Sequence, residues 1–82
     1  MVQEVLTVDT GDVIAHSCTF DKNAKTVAVG CSDDMIRTVS VEKGEISGDM
    51  KAHANGVNGV LYNQDNSTLY SIGGDGLIKV WR

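Results

Sequence analysis

The histidines, cysteines and aspartates of this 82-residue chain are the residues whose types could support catalysis. His16 and Cys18 lie two residues apart and suggest a thiol nucleophile with a histidine base. The apolar segment around them favours a buried strand, however, and a thiol in such a setting is normally inert. A nucleophile also needs an orienting third group and an oxyanion site, which the sequence does not indicate. We therefore predict that the protein is not an enzyme.

Metal and cofactor sites are equally poorly supported by the spacing of polar residues. Structural zinc sites use closely spaced ligand pairs, and the two histidines and two cysteines are too scattered to form them. Calcium takes about six to eight oxygens, more than the adjacent Asp33 and Asp34 provide. The glycine-rich stretch 73–76 lacks the Lys-Ser/Thr pair of a phosphate-binding loop and precedes a predicted strand. We expect no catalytic residue, no metal and no cofactor.

Composition and charge limit the class of protein and its partners. The chain is 41% hydrophobic and 22% charged, which is ordinary for a globular domain. A fold of this length buries a modest core and gains from association. The formal net charge is −4 and no run of lysine or arginine occurs, so electrostatic binding to nucleic acid or anionic membranes is disfavoured. We expect neither nucleic acid nor a membrane as a partner.

The cysteine count and the N-terminal residues indicate a cellular compartment. The first residues lack the basic and apolar regions of a signal peptide, and no apolar run approaches the roughly 20 residues that span a bilayer. Cys18 and Cys31 are too few for the disulfide framework of a small secreted domain. We predict that both are reduced and buried in an intracellular, cytoplasmic protein.

The sequence repeats itself when it is shifted by 42 residues. The shift pairs apolar with apolar and basic with basic residues, and a period of roughly 40–45 residues is typical of propeller blades. Its clearest matches are Asp33 with Asp75, Ile36 with Ile78, Arg37 with Lys79, and Phe20 with Tyr62.

Each repeat predicts three β-strands separated by polar or glycine-containing turns, and no segment shows a helical period. A weaker fourth strand follows a turn at residues 42–44, and the head of the chain, about residues 3–8, matches that strand after the same shift. The predicted strands are residues 15–20, 26–31 and 36–41 in the first repeat, and about 57–62, 68–73 and 77–81 in the second. The sequence therefore indicates an all-β fold.

The second repeat resembles a WD repeat of the β-propeller family. His53, Ser71, Asp75 and Trp81 stand at the family's histidine, strand serine, turn aspartate and tryptophan. The resemblance implies that these side chains form a structural hydrogen-bonded network from indole to hydroxyl to imidazole to carboxylate. Buried polar groups are stabilising when every member of such a network has a partner.

Departures from the family pattern are concentrated in the first repeat. Gly11, Val29 and Val39 stand where the second repeat has histidine, serine and tryptophan, and Asp33 alone is retained. We therefore predict that the first repeat depends on apolar packing in place of the network. In the second repeat, Ala52 and Arg82 replace the glycine and the final aspartate of the family pattern.

The resemblance implies a fold of two four-stranded antiparallel propeller blades. Residues 1–82 form a single unit, with repeat one at about 1–42 and repeat two at about 43–82. The outer strand of one blade is expected from the N-terminus of a neighbouring copy or from a missing part. Propellers close with roughly 4–8 blades. Three or four head-to-tail copies would give six or eight blades, and the remaining blades of a longer protein are the alternative.

The function that the resemblance implies is a non-catalytic scaffold for protein–protein interaction. Its partners are other copies of the chain or the remaining blades of a longer protein, together with protein or peptide ligands. Such ligands are expected on the loops near His53 and Asp75. The candidate contact residues are Ala54, Asn55, Asn58, Ser32 and Gly74.

Overall fold

The computed structural model describes residues 3, 7–65 and 67–82. These residues form β-strands joined by turns and no helix, so no helix among them could span a bilayer. The strands are β1 (Ala15–Phe20), β2 (Thr26–Cys31), β3 (Met35–Ser40), β4 (Glu45–Lys51), β5 (Val57–Tyr62), β6 (Leu69–Gly73) and β7 (Ile78–Trp81). The all-β prediction is confirmed, and the predicted bounds differ from these by one residue at both ends of β3 and at the first residue of β6 and of β7.

The strands pair in sequence order into two antiparallel sheets. Strands β1 to β4 form the first sheet, called blade 1, and strands β5 to β7 form the second, called blade 2. Tight turns set this order, because Gly44 and Gly76 adopt positive φ angles of 68° and 79°, which glycine reaches without a steric penalty. The two sheets are consistent with the predicted propeller blades.

The two blades pack face to face through apolar side chains of alternating strand positions. Strand β5 contacts both β1 and β2, so the inner strands of the blades lie side by side. Met50, Tyr62 and Trp81 pack against the rim of the shared core. The buried members of this core are Ala28, Ile36, Ala52, Val57, Val60 and Leu69. Burial of this apolar area is the main favourable term that holds blade 2 against blade 1.

The opposite face of blade 1 carries a smaller apolar cluster. Val29, Cys31 and Val39 are buried there, and Val8 and Val13 from the N-terminal segment pack on them. Two of the buried residues occupy the positions that correspond to the serine and tryptophan of repeat two. Blade 1 therefore has apolar packing where blade 2 has polar side chains.

The far face of blade 2, which points away from blade 1, is apolar and open to solvent. Its exposed side chains include Ile78, at 74% of its full accessible area, and Val80, at 55%. The remaining large apolar side chains on this face are Leu61, Tyr70 and Ile72. A contiguous exposed apolar surface of this kind marks an association site.

Two predictions about the first repeat concern its outer strand and its cysteines. The outer strand predicted at about residues 3–8 falls mainly on positions outside the described residues, and Gln3, Thr7 and Val8 are not in a strand. The prediction that both cysteines are buried is wrong for one of them. Cys31 is buried, whereas Cys18 is exposed because it lies on the face of β1 that points away from blade 2.

Candidate functional site

Three connections meet at one end of the two blades, which we call the loop end: residues 32–34, 52–56 and 74–77. They follow β2, β4 and β6 respectively, so antiparallel pairing brings them to the same edge of the structure. The Gly74 N–H donates to the Gly56 carbonyl at 3.0 Å, and the Ala52 N–H donates to the Asp34 carbonyl at 2.9 Å. The loop end is therefore one hydrogen-bonded surface that both blades share.

The four network side chains of repeat two lie in a continuous hydrogen-bonded row. Trp81 Nε1 donates to Ser71 Oγ at 2.9 Å, and Ser71 Oγ lies 2.7 Å from His53 Nε2. His53 Nδ1 lies 3.1 and 3.2 Å from the two carboxylate oxygens of Asp75. Because a carboxylate only accepts, Nδ1 carries a proton, and in that tautomer Nε2 accepts the Ser71 hydroxyl proton.

Residues of three elements converge to build this row. Ser71 projects from β6 and Trp81 from β7, while His53 comes from the connection after β4. His53 and Ser71 are each 1% exposed, so each polar atom depends on its protein partners. Among the described residues, no buried side-chain nitrogen or oxygen lacks a hydrogen-bond partner. The row therefore fixes the β4–β5 connection to the turn inside blade 2.

A serine, a histidine and an aspartate in hydrogen-bonded order are also the residue types of a hydrolase triad. Two observations separate this row from a catalytic site. Ser71 is buried, and its Oγ already accepts the indole N–H of Trp81, so no acyl group can approach it. A nucleophile must instead face a substrate cavity beside oxyanion donors. The arrangement supports a structural role.

Asp75 is held in its ionised form by three donors. Its Oδ1 accepts the Leu77 N–H at 3.1 Å, and its Oδ2 accepts the Ala54 N–H at 3.2 Å. Partial burial alone would raise the pKa of Asp75, but the hydrogen bonds from Leu77, His53 and Ala54 outweigh burial. The pKa therefore lies below the ordinary value of 3.8. An anion at this position stabilises the His53 N–H that faces it.

Two consecutive glycines make room for the histidine. A Cβ atom on Gly73 would overlap the imidazole ring of His53, and one on Gly74 would overlap the backbone of Asn55. Larger residues at either position would push the loop away from the row. The glycines in the stretch 73–76 therefore allow close packing against the β4–β5 connection and a tight turn.

Asp33, the retained aspartate of repeat one, lies outside the network. Its carboxylate accepts two hydrogen bonds from the Arg37 guanidinium, at 2.8 and 2.6 Å. The guanidinium lowers the pKa of Asp33 below its ordinary value. In repeat two the corresponding cation, Lys79, donates instead to the Ala52 carbonyl at 2.7 Å. The aspartate of the repeat therefore forms an exposed ion pair with Arg37 in blade 1, whereas in blade 2 it pairs with His53.

Asp34 is a structural residue that the sequence did not reveal. Its carbonyl accepts the N–H groups of Ala52 and His53, and its Oδ1 accepts the Gly56 N–H at 2.7 Å. It adopts a positive φ of 74°, which aspartate tolerates better than most residues. These contacts join the β2–β3 turn of blade 1 to the connection that enters blade 2.

The candidate contact residues surround the network at the loop end. Ala54, Asn55 and Gly74 are exposed beside Asp75. The other two candidates, Ser32 and Asn58, lie on either side of Gly56. A Cβ atom on Gly56 would be 3.8 Å from Ser32 and 4.0 Å from Asn58 Oδ1. Ser32 and Asn58 are exposed as well. The five residues share one surface.

Metal ligands are not grouped in the part of the chain that the structure describes. No three histidine, cysteine, aspartate or glutamate side chains there are close enough to hold a metal ion together. The aspartates of the loop end are engaged with Arg37, Gly56 and His53, as described above.

Comparison with known proteins agrees with this geometry. Residues 44–82 match the family described as WD domain, G-beta repeat. The chain is 36% identical over 83% of its length to WD repeat-containing protein 91 of Bos taurus, and 35% identical over the same share to that of Gallus gallus. It is 27% identical over 90% of its length to the Dictyostelium discoideum homolog.

These alignments cover 9% of the Bos taurus and Gallus gallus proteins and 10% of the Dictyostelium discoideum protein, so the chain spans about a tenth of the length of each relative. The matched region contains the complete row of His53, Ser71, Asp75 and Trp81. The sequence match, the two antiparallel blades and this row of side chains together identify the chain as a member of the WD-repeat family.

Proposed function

We propose that the chain serves as two neighbouring blades of a non-catalytic propeller scaffold that binds protein or peptide partners at its loop end. The observation that supports this proposal is the fixed geometry of the loop end. The network of blade 2 and the contacts of Asp34 hold three connections in place, while the side chains between them stay exposed. A rigid scaffold that presents exposed loops is the usual arrangement of a binding surface.

Photocrosslinking tests the position of the binding surface. A benzophenone amino acid at Asn55 is expected to crosslink to a protein partner when the protein is expressed in its native cells. The same group at Lys43, which is exposed at the opposite end of the blades, is the matched control. Crosslinking that is equal at the two positions, or stronger at Lys43, would contradict a binding surface at the loop end.

Two sources of blades can complete the ring. One is head-to-tail assembly of three or four copies, which is supported by the open apolar face of blade 2 and by the edge of β7 that no other described strand pairs with. The other is a set of blades with different sequences in a longer protein, which the size of the relatives supports. Both sources bury the far face of blade 2.

The mass of the isolated chain in solution separates the two sources. Sedimentation equilibrium is expected to give a trimer or tetramer if copies close the ring. A folded monomer that persists at high concentration would rule out closure by copies, and blades of other sequences would then be required.

The two thiols bear on the location of this scaffold. Neither Cys18 nor Cys31 forms a disulfide. We propose an intracellular, cytoplasmic location, since reduced cysteines are normal in that compartment. Fluorescence microscopy of the tagged protein checks this location.

A further inference from the structure

The interface between the blades contains two hydrogen bonds that join their inner strands. Ser17 Oγ on β1 accepts the Val60 N–H of β5 at 3.3 Å, and Thr19 Oγ1 accepts the Tyr62 N–H at 3.2 Å. Thr19 is 9% exposed, so its bond is largely shielded from water. Two hydroxyls spaced two residues apart on β1 therefore match two N–H groups spaced two residues apart on β5.

The strand register explains why β5 needs these hydroxyls. Residues 59–62 of β5 all lie opposite residues of β6, and the N–H groups of two alternate residues among them donate to side chains of β1, so these two N–H groups point away from β6. Those alternate residues are Val60 and Tyr62. Unpaired backbone donors at a partly buried strand edge are costly, and side chains of the preceding blade provide the acceptors.

The 42-residue shift shows which hydrogen-bond acceptors blade 2 has, and which donors blade 1 has, at the positions that correspond to this interface. Ser17 and Thr19 correspond to Gly59 and Leu61, so blade 2 has no hydroxyl at either position.

The donors of β5 correspond to the N–H groups of Cys18 and Phe20 on β1. The register of β1 on β2 matches that of β5 on β6, because Ser17 pairs with Gly30 and Thr19 pairs with Ala28. The N–H groups of Cys18 and Phe20 are therefore expected to point away from β2, towards the position that a neighbouring blade would occupy beside β1.

We propose that the blade that docks against β1 carries serine or threonine at two inner-strand positions separated by one residue. This inference rests on the proposed function and names the chemistry of the neighbouring blade. A second copy of this chain does not meet the requirement, because its blade 2 would place Gly59 and Leu61 there. The occupant of this face is consequently a blade of different sequence.

The docking position is a groove that runs along β1. It has a volume of about 790 Å³ and is mainly apolar, with the exposed side chain of Phe20 beside Val27 and Val41. Apolar packing is non-directional and would accept many apolar faces. The two N–H groups of β1 add the direction and register that apolar contact lacks.

A double substitution that supplies the missing hydroxyls tests the proposal. Gly59→Ser with Leu61→Thr gives blade 2 the pattern of β1, and Gly59→Ala with Leu61→Val is the control of matched shape without hydroxyls. A Cβ atom on Gly59 would lie 3.0 Å from Ile72 Cγ1, and the Ile72 side chain, 48% exposed, has room to turn away. The fold is therefore expected to tolerate both double variants.

Sedimentation equilibrium over a range of concentrations gives the association constant of each chain. The hydroxyl variant is expected to associate about tenfold more tightly than the control, since two hydrogen bonds are gained per contact. The unsubstituted chain is expected to associate no more tightly than the control. Closed rings of the unsubstituted chain, or equal association of the two double variants, would overturn the proposal.

Amide hydrogen exchange provides a second readout that does not depend on assembly. Ser17→Ala with Thr19→Val is expected to speed exchange at Val60 and Tyr62 by about fivefold relative to the unsubstituted chain. Unchanged exchange would show that the hydroxyls do not hold the neighbouring strand and would overturn the proposal. In the unsubstituted chain, loss of protection throughout β5 would instead contradict the two-blade scaffold itself, so the two failures are distinguishable.

Discussion

Ser71 is the residue that links the aromatic and charged halves of the network in blade 2. Its hydroxyl accepts from Trp81 and donates to His53, and the side chain is almost completely buried. Replacement of such a group leaves two polar neighbours without a partner in a region that water does not reach. The cost is therefore set by the unpaired neighbours more than by the lost bond itself.

We expect Ser71→Ala to lower the free energy of unfolding by about 1–3 kcal/mol. Urea denaturation followed by Trp81 fluorescence measures this loss. Ser47→Ala is the matched control, because Ser47 lies on β4 with an exposed hydroxyl that bonds Thr38. The control is expected to change stability by less than about 0.5 kcal/mol. Equal losses in the two variants would contradict a structural role for the network.

We expect the stability of the folded chain to fall at acid pH as Asp75 becomes protonated. Its pKa is lower in the folded chain than its ordinary value of 3.8, so the folded state binds this proton more weakly than the unfolded state. The stabilisation is therefore complete above about pH 4 and is lost as the pH falls through the lowered folded-state pKa. The stability advantage of the unsubstituted chain over Asp75→Asn should shrink across that acid range. Urea midpoints from pH 7 to pH 2 measure it, and a constant difference would contradict the assignment.

The four network positions could be identified from sequence because each residue type stands at a fixed place in the repeat. Asp34 could not, because its hydrogen bond to Gly56 spans 22 residues and depends on how the blades approach each other. The pairing of Asp33 with Arg37 was equally hidden. Repeat alignment identifies corresponding positions but does not give the partner that each side chain finds in three dimensions.

The turn between β2 and β3 is the element that links the blades at the loop end. We expect Asp34→Ala to destabilise the chain by about 1–3 kcal/mol, because it removes the acceptor for Gly56 and places alanine at a positive φ. Asp34→Asn keeps an acceptor oxygen and a side chain that tolerates this φ, and should lose much less. Thermal unfolding distinguishes the two. Similar losses would show that charge, and not the hydrogen bond or the φ angle, is what this turn requires.

Strands were predicted closely because alternating β-rich segments are bounded by polar or glycine turns in both repeats. The bounds of β1 and β2 agree fully with the prediction. The exposure of Cys18 was missed because Cys18 shares the more apolar face of β1 with Phe20, whereas the face covered by blade 2 carries Ser17 and Thr19. Coverage is decided by the neighbouring blade, and among the described strands a second blade packs on one side of β1.

At the scale of the molecule, corresponding positions of the two blades have different surroundings. Ile36 and Ile78 occupy corresponding positions after the 42-residue shift, yet Ile36 is 1% exposed and Ile78 is 74% exposed. The difference arises because blade 2 covers the face of blade 1 that carries Ile36, whereas no residue that the structure describes covers the far face of blade 2. This pair of isoleucines therefore reports directly on whether another blade is present.

In the isolated chain, Ile36→Ala is expected to cost about 2–5 kcal/mol through lost burial and a residual cavity. Ile78→Ala should change stability by less than about 0.5 kcal/mol, because its side chain is already in water. Urea denaturation of the two variants at low concentration measures both values. Inside a completed ring the far face of blade 2 is buried, so the cost of Ile78→Ala should rise towards that of Ile36→Ala. Equal losses in the isolated monomer would contradict the open face, and a negligible loss at Ile78 in the complete ring would contradict its burial there.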